Sequence, residues 1–161
     1  MASPAPPDIA VGFSPHGSAR SLVLQTVNDA QSSVRMMAYA LTDPDVIGAL
    51  VAAHRRGVDV AVVIDQRFSL SNPASREAVR YLVTQHVPVR TVSAWAIHHD
   101  KVIIADGHTV ETGSYNYTRA AVRNNSENVV VLRHMPDIAA LYLTHWQSRW
   151  ERGRIPDITR Y

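Results

Sequence analysis

Residues 58–64 restrict the fold of this chain more than any other stretch. Six of these seven residues are apolar and most are β-branched, which predicts a strand buried on both faces. The stretch follows a helix with a well-defined start at Thr42-Asp43-Pro44-Asp45 and a stop at Gly57. A buried strand placed directly after such a helix predicts an α/β sheet with helices packed on its faces.

The remaining segments support this architecture. Further strands are predicted at residues 9–14, 34–40, 87–92 and 127–133, and further helices at residues 18–30, 74–86 and 136–150. Residues 101–105 and 109–112 flank Asp106-Gly107, which indicates a β-hairpin. We therefore predict an α/β fold with a mixed, largely parallel sheet, flanked by helices on both faces, in a single domain of residues 9–152.

Several local predictions accompany this fold. Residues 1–8 are expected to be a disordered lead-in, residues 66–73 a polar loop, and residues 153–161 a loose tail. Residues 113–125 form a polar segment that has room for one helical turn. The last helix is predicted to bury one face, formed by Ile138, Leu141, Tyr142, His145 and Trp146.

The composition excludes some classes of protein and site. With 46% hydrophobic and 19% charged residues, the chain has the profile of a globular domain. No apolar run approaches the ~20 residues that span a bilayer, and the first residues lack the features of a signal peptide. The chain has no cysteine, which excludes disulfides and thiolate metal sites.

Lys101 is the one lysine among 16 basic residues. A codon bias toward arginine explains why arginine is used in place of lysine elsewhere in the chain. It does not explain why the remaining lysine lies two residues after His99. An ammonium group is a compact point charge, whereas guanidinium is a wide planar fork. Asn116 and Glu127 follow within about thirty residues, so one stretch supplies a nucleophile, a cation, an amide and a carboxylate for attack on a phosphate.

These residues can be given chemical roles. If the strand begins at His99, then His99 and Lys101 share one of its faces. Neutral His99 could attack phosphorus while Lys101 and Asn116 neutralise the non-bridging oxygens. Glu127 could accept the other ring N–H of His99 and fix its tautomer. Taken singly, each residue also has an ordinary reading as a surface, core or strand-edge side chain.

Three neighbouring residues are assigned supporting roles. Gly113 supplies backbone that can approach a ligand closely, and Ser114 is either a ligand donor or a turn residue. Asp106, which precedes Gly107, is interpreted mainly as a turn residue.

The pattern His99-x-Lys101-x4-Asp106-x6-Gly113-Ser114-x-Asn116 resembles the HKD motif of the phospholipase D superfamily. It is most similar to the short bacterial endonucleases that work in the presence of chelators. The resemblance runs from about residue 10 to residue 152. Departures are His16 and the loop at residues 66–73. Other segments that resemble this branch are Met36-Met37-Ala38-Tyr39, Arg56-Gly57-Val58-Asp59-Val60, Val110-Glu111-Thr112, Asn125-Ser126-Glu127-Asn128 and His145-Trp146-Gln147-x-Arg149-Trp150.

The resemblance implies a covalent phosphohistidine mechanism with no metal and no cofactor. One histidine attacks phosphorus, and a second histidine from another copy of the motif protonates the leaving oxygen. This chain has a single H-x-K sequence, so a two-histidine mechanism needs two chains. We therefore expect a two-fold homodimer in which two copies of His99 meet across the interface.

Weaker signals concern substrate binding. Arg119 and Arg123 could hold flanking phosphates, and Trp95 could stack on a base or pack at the dimer interface; a solvated surface is a comparable reading for the arginines. A metal cluster formed by His98, His99, Asp100 and His108 is an alternative with unusual ligand spacing.

The resemblance and the basic pI of 9.2 favour nucleic acid as the substrate, DNA first and RNA second, without base specificity. The resemblance also implies an exported, periplasmic location in a bacterium, with the leader absent from this sequence. A cytoplasmic location is left open. The rival functions are a lipid phosphodiesterase of the same superfamily, which should show an apolar entrance, and a nucleic-acid-binding protein that does not cleave.

Overall fold

The predicted alternation of strands and helices is present in the computed structural model, which describes residues 3–161. The strands are β1 (Asp8–Ser14), β2 (Ser33–Ala38), β3 (Asp59–Asp65), β4 (Val89–Val92), β5 (Val102–Ala105), β6 (Thr109–Gly113) and β7 (Glu127–Arg133). The helices are α1 (Ala19–Asn28), α2 (Pro44–Arg55), α3 (Gln66–Ser71), α4 (Pro73–Thr84), α5 (Arg119–Arg123) and α6 (Pro136–Arg152), with a last 3₁₀ turn at Ile158–Arg160.

The strands form one mixed sheet in the order β1-β7-β6-β5-β2-β3-β4. The pairs β2–β3 and β3–β4 are parallel, while the other four pairs among residues 3–161 are antiparallel. The prediction of a mixed sheet is confirmed, but its description as largely parallel is wrong. A three-residue turn joins β5 to β6, and so short a connection can link only antiparallel strands.

Helices cover both faces of the sheet, as predicted. One face packs against α1, α2, α4 and α5 through a large cluster that includes Val23, Leu50 and Val79. The other face packs against α6 through a smaller cluster around Met37, Ile104 and Trp146. Burial of these apolar surfaces on both sides of β2, β3 and β5 provides the main stabilisation of the fold.

Local sequence explains two of the helices well. In α2 the Asp43 carboxylate accepts a hydrogen bond from the Asp45 amide at 2.9 Å, Pro44 occupies the first turn, and Gly57 follows with φ of 94°. Residues 66–73 were expected to be a loop, but α3 forms there because Asp65 accepts from the Phe68 amide at 2.9 Å. A single N-cap at the end of a strand is thus enough to start a helical turn in a polar sequence.

The last helix buries only part of the predicted face: Trp146 is buried and Tyr142 and His145 are half-buried, but Ile138 and Leu141 are exposed. Leu141 is 70% exposed and Ile138 is 36% exposed, whereas Ala139 and Trp146 are buried. The Trp146 indole donates a hydrogen bond to the Met36 carbonyl at 3.0 Å. The tryptophans therefore orient the helix. The small Ala139 side chain lets the first turns of the helix lie close to the sheet.

The two ends of the chain can now be compared with the predictions. The disordered lead-in was placed at residues 1–8; residues 1 and 2 lie outside the described residues, residues 3–7 are exposed without regular structure, and Asp8 already pairs with Arg133. The loose tail expected after Arg152 instead packs on the domain. Arg154 pairs with Thr91, and Tyr161 is only 7% exposed.

No helix within residues 3–161 combines the length and the apolar character that a bilayer crossing requires.

Candidate active site

Strand directions bring the predicted catalytic residues to one edge of the sheet. Lys101 immediately precedes β5, Asn116 follows β6, and Glu127 begins β7. Because β5, β6 and β7 are successively antiparallel, the start of β5, the end of β6 and the start of β7 coincide. The ends of β2 and β3 lie at the same edge. We call this edge, which carries Tyr39, Asp65, residues 98–101, residues 113–116 and Glu127, the site edge.

The segment that carries His99 is held through both of its neighbours. The His98 amide donates to the Asp65 carboxylate at 2.8 Å, and Asp100 pairs with His145 of α6 at 3.2 Å. The His98 side chain is buried and the Asp100 side chain points to α6, whereas the His99 side chain is exposed. The predicted strand at His99 is not present, because β5 begins at Val102, but the tethers fix this segment without strand pairing.

Lys101 is buried beside its histidine. Its side chain donates to the His99 carbonyl oxygen at 2.9 Å, and the residue is 9% exposed. Burial lowers the pKa of Lys101 from its ordinary value, although the nearby carboxylates of Glu127 and Asp100 act in the opposite direction. The ammonium group is thus poorly hydrated, and a partly desolvated cation interacts strongly with an incoming anion.

Gly113 and Ser114 brace the loop that leads to Asn116. A Cβ at Gly113, whose φ is 151°, would collide with the Asn128 carbonyl oxygen. The Ser114 hydroxyl accepts from the Asn128 amide at 3.1 Å, and the Ser114 amide donates back to the Asn128 carbonyl at 3.1 Å. These contacts close the connection between β6 and β7 and give both residues a structural role.

Asn116 lies between two fully buried tyrosines. The Tyr117 hydroxyl donates to Glu111 at 2.8 Å, and both of these side chains are 0% exposed. The buried Asn116 Oδ1 has no hydrogen-bond partner within residues 3–161. The flanking tyrosines therefore hold the backbone at Asn116, while its own amide retains unused hydrogen-bonding capacity.

Glu111 was not singled out from the sequence. It lies in β6 opposite Ile103 and Val131, and its inward position could have been read from the two-residue period of the strand. Burial raises the pKa of Glu111 to about 8, which the hydrogen bond from Tyr117 only partly offsets. Asp65 and His145, which tether the His99 segment, were likewise not given this role.

The expected hydrogen bond between His99 and Glu127 is absent. Among the described residues, the His99 ring makes neither a hydrogen bond nor an ion pair with Glu127, and its nearest aromatic neighbour is Tyr39, with ring centroids 5.0 Å apart. Glu127 instead lies close enough to act on the charge of Lys101. It is therefore placed beside the cation at the site edge.

Asp106 lies at the opposite edge, in the turn between β5 and β6. Its carboxylate accepts hydrogen bonds from the amides of Gln31, Ser32 and Ser33 at 2.7 to 3.1 Å, and from the Ser32 hydroxyl at 3.0 Å. Burial alone would raise the pKa of Asp106, but these hydrogen bonds lower it below its ordinary value. The structure confirms that Asp106 is a turn residue; it fastens the hairpin to the start of β2.

The residues suggested for substrate binding have different surroundings. Arg119 and Arg123 line a cavity of about 230 Å³ together with Arg20 and Asp45, and neither makes a hydrogen bond or ion pair within the part of the chain that is described. Arg149 lies over the ring of Trp95, 4.3 Å from its centroid. One face of Trp95 is thus already covered, which leaves less of it for a base.

The alternative metal cluster is not assembled. His108 lies in the β5–β6 turn beside Thr109, at the edge opposite His98 and His99. Across residues 3–161, no group of three or more His, Cys, Asp or Glu side chains is arranged to hold a metal ion.

Comparison with known proteins identifies the family. Residues 23–150 match the family described as cardiolipin synthase, PLD-like domain. The crystal structure of the phospholipase D family member Nuc from Salmonella typhimurium is 53% identical, with a TM-score of 0.90, and the match covers 92% of this chain and 97% of Nuc.

Curated relatives agree. A protein named phospholipase D from Rickettsia bellii is 34% identical over 146 residues, which cover 88% of this chain and 68% of that protein. The human mitochondrial cardiolipin hydrolase is 31% identical over 139 residues, which cover 86% of this chain and 54% of the hydrolase. The chain therefore belongs to the phospholipase D-like family of phosphodiesterases.

Proposed function

We propose that this protein is a metal-independent endonuclease that cleaves nucleic acid, DNA in the first place and RNA in the second, without base specificity. The observation that carries the proposal is the exposed imidazole of His99 together with the buried ammonium of Lys101, which donates to the main-chain carbonyl of the same histidine, at the edge that Asn116 and Glu127 share. A nucleophile with a desolvated cation next to it suits attack on an anionic phosphodiester.

In the first step, a ring nitrogen of His99 attacks phosphorus while the bond from phosphorus to the leaving oxygen breaks. Lys101 and the amide of Asn116 stabilise the charge that builds on the non-bridging oxygens. The leaving oxygen takes a proton from a second imidazole, which must therefore be protonated when the reaction begins.

In the second step, that imidazole, now neutral, accepts a proton from water as the water oxygen attacks phosphorus. The nitrogen–phosphorus bond breaks and His99 is regenerated. The other histidines of the chain lack a lysine two residues later, so the partner's His99 is the natural source of the second imidazole. The active site is then completed by a two-fold homodimer.

A nucleic acid substrate is supported by the basic character of the chain and by the arginines that face solvent near α5. The match to Nuc over nearly the full length of both chains supports the same branch of the family. An exported, periplasmic location is part of this proposal and rests on the resemblance alone.

A lipid phosphodiesterase is the second candidate. It is favoured by the names of the curated relatives, phospholipase D and mitochondrial cardiolipin hydrolase. The chemistry at phosphorus would be the same, so the two candidates differ in what surrounds the phosphate. They are distinguished by assaying the same preparation on plasmid DNA, on RNA and on cardiolipin vesicles.

The central experiment is cleavage of plasmid DNA in excess chelator by the wild-type protein and by His99→Ala. We expect nicking by the wild type and a loss of at least about 10³-fold in the variant, because the nucleophile is gone. His54→Ala, at the far end of α2, serves as the control histidine and should cleave normally. Equal nicking by wild type and His99→Ala would remove His99 from the mechanism, and binding without cleavage would favour a binding protein.

The dimer is tested by mixing. If each phosphorus needs two copies of His99, a re-equilibrated equal mixture of wild-type and His99→Ala chains should retain about one quarter of the wild-type activity, since only wild-type pairs are complete. A retained activity of one half, or full activity from a species that light scattering shows to be monomeric, would contradict a shared site.

A further inference from the structure

Tyr39 lies beside the exposed imidazole of His99, and Phe68 lies against Tyr39. The Tyr39 ring meets the His99 ring edge-on, with centroids 5.0 Å apart and planes at 74°. The Phe68 ring lies 4.7 Å from Tyr39, with planes at 39°. Both side chains are half-buried. We call Tyr39 and Phe68 the aromatic wall.

The position of this wall relative to His99 is fixed by one carboxylate. Asp65, which is 3% exposed at the end of β3, accepts from the Phe68 amide at 2.9 Å and from the His98 amide at 2.8 Å. On its other side α3 is fastened by a buried hydrogen bond of 3.0 Å between the Ser69 and Tyr161 hydroxyls. The element that carries Phe68 is therefore held rigidly against the segment that carries His99.

The wall is not needed to fill the interior. Neither Tyr39 nor Phe68 belongs to the two apolar clusters of the core, although their neighbours Ala38 and Leu70 do pack there. Arg67, adjacent to Phe68, is exposed and makes no hydrogen bond or ion pair among residues 3–161. Aromatic side chains and nearby cations are what proteins use to bind single-stranded nucleic acid.

We propose that the aromatic wall stacks on the nucleobase next to the scissile phosphate, so that the enzyme cleaves a single strand faster than the same strand in a duplex. The inference deepens the proposed nuclease function and rests on it. In a duplex both faces of each base are covered by neighbouring bases, and extruding one is unfavourable. A single strand offers a free base face to Phe68 while Arg67 meets a neighbouring phosphate.

The test compares kcat/KM for three substrates: a single-stranded oligonucleotide, the same strand in a duplex, and a strand of equal length built of abasic sites. The proteins are wild type, Phe68→Ala, Phe68→Trp and the control Tyr81→Ala, which removes an exposed ring of α4. For the single strand we expect Phe68→Ala to lose about 10- to 100-fold, Phe68→Trp to retain wild-type activity, and Tyr81→Ala to be unchanged. Cleavage of the abasic strand should not depend on Phe68.

Other outcomes would overturn the inference. Equal losses on the normal and abasic strands would mean that Phe68 only supports the site, and a dimer that dissociates on Phe68→Ala would assign the wall to the contact between copies. Unchanged kcat/KM would remove it from substrate binding. A wild-type protein that cleaves cardiolipin but none of the three strands would refute the nuclease function itself, which separates the two failures.

Discussion

The two edges of the sheet differ in the hydrogen bonding of their polar groups. At the edge formed by the β5–β6 turn, the Asp106 carboxylate accepts hydrogen bonds from three successive amides and a hydroxyl. At the site edge, several buried polar atoms of the described chain have no partner. They are His98 Nε2, Tyr115 Oη and Asn116 Oδ1.

This difference separates stability from function. A buried polar group without a hydrogen-bond partner lowers the stability of a fold. Several such groups at one edge therefore indicate that this edge serves a function other than stability. Within residues 3–161, the turn edge has no buried polar atom without a partner. Its hydrogen bonds attach the hairpin to the start of β2. Substitutions at the turn edge should therefore change stability, and substitutions at the site edge should change activity.

The largest expected effect is at Asn116. Asn116→Ala should reduce kcat by about 10²- to 10³-fold, because a donor to the reacting phosphate is lost, while the unfolding free energy stays the same or rises slightly since an unpartnered buried oxygen is removed. Steady-state kinetics and urea unfolding measure both. Asn28→Ala, at the exposed end of α1, is the control, and a strongly destabilised Asn116→Ala would break the proposed division.

At the turn edge the expectation is reversed. Asp106→Ala should lower the unfolding free energy by about 2–3 kcal/mol, because three amides lose their acceptor, with kcat per folded molecule unchanged. The pKa of Asp106 is lowered in the folded protein, so its contribution is present above the ordinary carboxyl pKa and lost as the pH falls through the folded value. Asp29→Ala is the matched control, and an activity loss without destabilisation would contradict this role.

The last prediction concerns Glu111, whose pKa of about 8 lies well above its ordinary value of 4.5. For such a group the stability present below pH 4.5 declines as the pH rises and is lost by about pH 8. Glu111→Gln keeps an acceptor for Tyr117 without the charge. It should match the wild type at pH 5 and be more stable at pH 9, by on the order of 5 kcal/mol, because each pKa unit corresponds to about 1.4 kcal/mol.

Thermal unfolding across this pH range, with Glu77→Gln as an exposed control, measures the difference. A pH-independent difference between Glu111→Gln and wild type would show that the pKa of Glu111 is the same in the folded and unfolded protein, and so is not raised by burial.

Sequence patterns predicted those parts of the fold that local physics decides. The caps of α2, the buried β3 and the Asp-Gly hairpin all depend on neighbouring residues. The proportion of parallel pairing and the buried face of α6 depend on contacts between distant segments. Trp146 belonged to the predicted stripe and is buried, but Leu141 and Ile138 fit the same helical period and are exposed, so periodicity alone could not show which members of the stripe face the sheet.

The site shows the same limit. The H-x-K spacing located the residues, but the edge they share and the partners that hold them come from contacts with the rest of the chain. Asp65 and His145 hold the His99 segment from β3 and α6, and no spacing within residues 97–128 reveals them. The expected link between His99 and Glu127 failed because proximity along the chain does not fix the direction of a side chain.

Lys101 has a further consequence for anyone who wishes to label this protein. It carries the one ε-amino group of the chain, and its lowered pKa gives it a larger uncharged fraction near neutrality than an exposed lysine would have. Acylating reagents that react with side-chain amines therefore have a single target, at the proposed phosphate site, where a bound substrate would shield it. The extent of modification, read by mass spectrometry, becomes a direct gauge of occupancy.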